Sequence, residues 1–89
     1  MAKEKYEPNV LLREKIEWLI EKKAYKDLAE VAEDFDRVLH EMGHIKDTDD
    51  HFTAKMLGEV IAGKRKLSQI FEYRLAEILG EDADQVGFE

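Results

Sequence analysis

The 89-residue sequence contains no cysteine, a single proline and five glycines. Without thiols it has no disulfide framework, no thiolate metal site and no dithiol redox motif. So little proline and glycine excludes collagen-like and glycine-rich chains, and a hydrophobic content of 44% is too high for a chain disordered for want of a core. No apolar run approaches the ~20 residues of a membrane span, and nothing ahead of the first helical pattern reads as a secretory leader. The expectation is a cytoplasmic protein with no membrane partner. Alternation with a period of two is also missing, so no strand is predicted. There is no nucleophile–base pair and no phosphate-cradling glycine loop, and a chain this short builds only a modest core. The sequence is therefore read as non-enzymatic and without cofactors.

What is present is charge on a helical pattern. Charged residues make up 39% of the chain and the net charge is −7, unevenly spread. Residues 1–23 carry six basic and five acidic side chains, and residues 24–51 carry three and nine. Residues 52–80 carry five and three, and residues 81–89 carry none and four. The dense basic run Lys64-Arg65-Lys66 thus stands in the most positive segment, where a local patch matters more to a polyanion than the total does.

The hydrophobic spacing predicts four or five helices in one domain over residues 10–80, with a flexible segment 1–9 before it and an acidic stub 81–89 after it. Asn9 is placed to cap a first helix from Val10 to about Lys23. Its apolar stripe is Leu11, Leu12, Ile16, Leu19 and Ile20, with Trp18 at the edge and expected in the core. A second helix is expected from Lys26 or Asp27 to about Met42, burying Leu28, Val31, Phe35, Val38, Leu39 and Met42 and ending at Gly43. His44–Asp50 reads as a loop. A third helix is expected from about Asp50 to Ala62, burying Phe52, Met56, Leu57, Val60 and Ile61, and Gly63 ends it. Ser68 caps a fourth carrying Ile70, Phe71, Leu75, Ile78 and Leu79, which stops at Gly80. Asp82 is placed to cap a last turn through Val86.

The stretch Phe52–Gly80 reads FTAKMLGEVIAGKRKLSQIFEYRLAEILG. Its helix closed by glycine, then Lys-Arg, a capping Ser and a Leu-Ala-x-x-Leu-Gly ending, resembles the second half of the Cro/lambda-repressor-like (Xre-type) helix-turn-helix domain, the antitoxin variant in particular. The residues that carry the likeness are Leu57, Val60, Gly63, Lys64, Arg65, Ser68, Leu75, Ala76, Leu79 and Gly80. The resemblance implies an all-α, lambda-repressor-like fold with an insertion between the second and third helices. It also implies a transcriptional regulator, phage or mobile-element encoded, that binds double-stranded DNA as a homodimer. On that reading Thr53, Ala54, Lys55, Gly58 and Glu59 face the groove, and Lys64, Arg65 and Lys66 meet phosphates. The groove face holds no Arg, Gln or Asn, the side chains best suited to bidentate base contacts. The alternative is an antitoxin-like or inhibitory module whose acidic residues 27–50 engage a basic protein partner.

A second motif points elsewhere. His40-Glu41-Met42-Gly43-His44 is an HExxH sequence and resembles the zincin signature, in which two histidines on one helical face hold zinc. Asp50 stands where a longer version of that pattern places a third ligand, giving the metal set His40, His44 and Asp50. Gly43 reads as a helix stop, and the plain reading of these histidines is a helix end.

Overall fold

The computed structural model describes residues 7–88. Four helices follow in order: α1 (Val10–Glu21), α2 (Leu28–Glu41), α3 (Ala54–Ile61) and α4 (Gln69–Ile78). A 3-10 turn, Ala83–Val86, comes last, and there is no strand among the described residues. The chain is the small all-α domain expected of it.

Each α-helix starts where a short polar side chain captures a free backbone N–H. Leu12 N donates to Asn9, Glu30 N to Asp27, Met56 N to Thr53 and Phe71 N to Ser68. At α2 the Glu30 carboxylate also reaches back to accept from Lys26 N at 2.6 Å, a variant of the capping box. The Thr53 cap moves the start of α3 from the expected Asp50 to Ala54. Thr53 is extended, and Phe52 N is already committed to the Asp36 carboxylate at 2.7 Å. Phe52 is buried all the same, from outside the helix.

Helix ends follow the same economy of backbone hydrogen bonds. α1 stops at Glu21 because Lys23 takes a left-handed conformation, φ 67°, from which Lys23 N donates to Ile20 O and Ala24 N to Leu19 O. Gly43 at the end of α2 and Gly63 at the end of α3 occupy that conformation without the Cβ penalty a lysine bears.

The core is centred on Phe35, fully buried on α2, whose ring meets Phe52 edge-on at 4.8 Å and Phe71 at 6.3 Å. Leu12 and Ile16 from α1, Val31 and Leu39 from α2, Leu57 and Val60 from α3, and Leu75 and Leu79 complete it. Burying each of these side chains contributes about 1.5–3 kcal/mol before chain entropy is charged against it.

Several expected core residues lie outside. Trp18 is 48% exposed and Leu11 50%, because both project from the side of α1 opposite Leu12 and Ile16. The Trp18 indole instead carries the Lys15 ammonium 4.5 Å from its ring centre. Met42 and Ile70 are also exposed. Conversely, two residues of the segment expected as an acidic stub, Val86 and Phe88, are buried in the core. Of the expected flexible segment, residues 1–6 lie outside the described residues. Asn9 fastens the rest: its N–H donates to Ile61 O at 2.8 Å, and its side-chain amide donates to Val86 O at 2.9 Å. One residue thus joins α1, the end of α3 and the final turn. A Cβ at Gly87 would overlap the Asn9 side chain, so only glycine allows this approach.

Candidate functional site

The α3 residues away from the core are small or polar. Leu57 and Val60 face inward, which turns Lys55, Gly58 and Ala62 outward at helical spacing. Thr53 and Lys55 are exposed, whereas Ala54, Gly58 and Glu59 are half-buried. Apart from its chain neighbours and the backbone of α3 itself, no atom lies within 4 Å of where a Gly58 Cβ would stand, so nothing packed on the helix calls for glycine there.

The basic turn is held at both ends. Gly63, buried with φ 79°, lets Lys64 N return to Glu59 O at 2.8 Å and closes α3. Leu67 is buried and Ser68 caps α4, so Lys64, Arg65 and Lys66 project from a short bridge between two anchored points. Their charge is partly spent internally. Arg65 Nε donates to Glu59 at 2.8 Å, and Lys66 Nζ lies 3.7 Å from Glu72. Among the described residues, no ion pair engages Lys55 or Lys64.

The HExxH residues do not come together as the metal set of the zincin pattern. α2 ends at Glu41, Met42 caps it, and Gly43 turns left-handed with φ 77°. His44 is consequently off the helix and loses its place above His40. Its Nε2 accepts from Arg74 Nε at 3.1 Å, and its ring packs by Phe71 of α4. Asp50 is exposed in the loop. His44 and Asp50 are therefore not joined with His40 as ligands.

His40 has other neighbours. Asp36, one turn earlier on α2, and His51, from the loop, come together with it. His51 Nδ1 lies 3.0 Å from Asp36 Oδ2, and His40 Nδ1 lies 3.5 Å from Asp36 Oδ1 and 2.8 Å from the Asp36 carbonyl. Partial burial opposes ionisation of Asp36. The hydrogen bonds from His51 and Phe52 N–H, with the two imidazole charges, outweigh it and hold the carboxyl below its usual range. The Asp36 carbonyl raises His40 in turn against desolvation, assisted by the Asp36 charge and the Asp47 and Asp50 carbonyls. The Asp36–His40 spacing is legible in the sequence as an i,i+4 pair. His51 is not, because only the path of the loop brings it back to α2.

Comparison with protein-family models, with curated proteins and with solved structures found no match to this chain.

Proposed function

We propose that the chain is a DNA-binding regulator of helix-turn-helix type, in which α3 lies against the major groove and the Gly63–Ser68 turn meets the phosphate backbone. The observation that carries this reading is the outward face of α3. A glycine with open space in front of it stands beside an exposed lysine, next to a rigid turn of three cations. A groove admits a helix closely only where side chains are small, and phosphates draw the basic turn. Thr53 and Lys55 are the side chains on this face with polar atoms exposed for base edges, whereas Ala54 is turned toward the core. Lys64, Arg65 and Lys66 supply the phosphate contacts. Arg65 must exchange Glu59 for phosphate, and the acidic remainder of the protein repels the duplex, so affinity without sequence preference is low. A homodimer on paired half-sites doubles the contacts.

Engagement of a basic protein through acidic residues 27–50 is less favoured. Asp27 and Glu30 cap α2, Asp34 holds Tyr25 and Arg37, and Asp36 holds Phe52 and His51. Those carboxylates are already employed in the fold.

The test is selection of bound sequences from random duplexes, followed by fluorescence anisotropy over a range of salt. The expected result is binding that weakens steeply with salt, with a log–log slope reduced by about one for Lys64→Ala. Lys55→Ala is expected to change the ranking of sequences. Absence of binding at low salt overturns the reading.

A further inference from the structure

We propose that Asp36, His40 and His51 form a site for one borderline divalent transition-metal ion, with zinc as its probe, that pins the loop between α2 and α3 to α2. These three form the one group of metal-ligating side chains brought together among the described residues, and their donor atoms lie within 4.8 Å of one another. Two imidazoles and a carboxylate are the donor set of an open zinc site, with the fourth position left to water. Calcium and magnesium call for more oxygen ligands than the cluster offers.

The geometry is close to what such an ion requires. Ligands about 2.0–2.2 Å from a tetrahedral zinc stand roughly 3.3 Å apart. Asp36 Oδ2 and His51 Nδ1 are 3.0 Å apart, and the two imidazole centroids are 5.4 Å apart. His51 is exposed on the loop, so its ring can rotate the remaining distance.

The surroundings orient two of the ligands as outer-shell partners do at metal sites. Phe52 N donates to Asp36 Oδ1 at 2.7 Å, so an ion takes Oδ2 in place of the hydrogen that His51 Nδ1 shares with it at 3.0 Å. His40 Nδ1 lies 2.8 Å from the Asp36 carbonyl, and a hydrogen donated there leaves the lone pair on Nε2. That Nε2 is 3.4 Å from the Asp47 carbonyl, which has no hydrogen to offer it. A lone pair facing a carbonyl oxygen is relieved by a cation between them, either a proton or a metal ion.

The consequence is mechanical. Asp36 and His40 sit on rigid helix, whereas His51 stands two residues before the Thr53 cap of α3. An ion shared among them fixes the approach to α3. This inference stands apart from the DNA reading, because metal binding is measured without DNA.

The experiment uses the full chain, dialysed against chelator and titrated with zinc by calorimetry and by thermal melting. The expected result is one ion per chain and a melting temperature that climbs with zinc but not with magnesium. Cobalt(II) at the same site is expected to give the visible absorption of a tetrahedral ion. His51→Ala changes an exposed side chain, and it and Asp36→Asn are expected to weaken zinc binding about tenfold or more. His44→Ala is expected to leave zinc binding unchanged. No saturable binding at millimolar zinc overturns the proposal and leaves a proton as the cation. Undiminished affinity in both His51→Ala and Asp36→Asn overturns it as well. Loss in His44→Ala with retention in His51→Ala would return the site to the HExxH residues.

Discussion

Replacing Gly58 separates what α3 needs for folding from what its outward face is for. Glycine inside a helix costs about 0.8–1.0 kcal/mol relative to alanine, through the backbone freedom it surrenders on folding. Gly58 lies inside the eight-residue α3, and it is not among the glycines at positive φ. A Cβ there meets nothing within 4 Å, so no overlap offsets the gain. Gly58→Ala is therefore expected to stabilise the domain by about 1 kcal/mol, raising the melting temperature by about 4–8 °C for a domain of this size. Leucine has nearly the helix propensity of alanine, so Gly58→Leu is expected to keep most of that gain. On the proposed groove-facing role of α3, the two variants are expected to part in DNA binding. A leucine facing the groove forces the helix away, and overpacking of about 1–3 kcal/mol lowers affinity about five- to 150-fold. Urea and thermal unfolding followed by circular dichroism supply the stability, and anisotropy against a selected duplex supplies the affinity. A Gly58→Ala protein no more stable than the wild type would refute the reasoning on the helix. A Gly58→Leu protein that folds and binds as wild type would remove α3 from the groove.

Three further outcomes follow from individual contacts. Lys23→Gly relieves the left-handed lysine that ends α1 and is expected to stabilise by up to about 1 kcal/mol in a denaturant titration. Asn9→Ala removes the α1 cap and the bond to Val86 O, and is expected to cost about 2–3 kcal/mol; Asn9→Ser restores the cap alone and recovers about 1 kcal/mol of it. Tyr25 is pushed up to about 12 by its burial and by the hydrogen bond it donates to Asp34. Because folding favours the neutral phenol, its contribution is whole below pH 10 and is lost as pH rises toward about 12. Tyr25→Phe is expected to abolish the late phenolate absorbance step and to flatten the loss of stability across that window.

Most local signals of helix initiation and arrest were strong enough to read directly, the start of α3 at Thr53 excepted. Asn9, Asp27, Thr53 and Ser68 cap the four α-helices, and Gly43 and Gly63 end two of them, because capping and left-handed turns are chemistry of a few adjacent atoms. The sequence had marked Asn9 and Ser68 as caps and Asp27 as a helix start, but it carried α3 back to Asp50. The tertiary hydrogen bond from Phe52 N to Asp36 holds the chain extended before Thr53. The stripe of α1 was also read too broadly. Hydrophobicity alone does not say which flank a neighbouring helix covers, and Trp18 and Leu11 were left to solvent.

Contacts between distant segments depended on the tertiary structure alone. A last turn through Val86 was legible, but the burial of Val86 and Phe88 was not, because composition averages over the acidic segment while burial is decided residue by residue. Nothing near Asn9 announces its bonds to Ile61 and Val86. The same holds for the histidines. The sequence supplied His40 and a motif that pointed to His44, and it also marked Gly43 as the helix stop that parts them. The returning loop then puts His51 beside Asp36, a juxtaposition written in the path of the chain and not in the spacing of its residues.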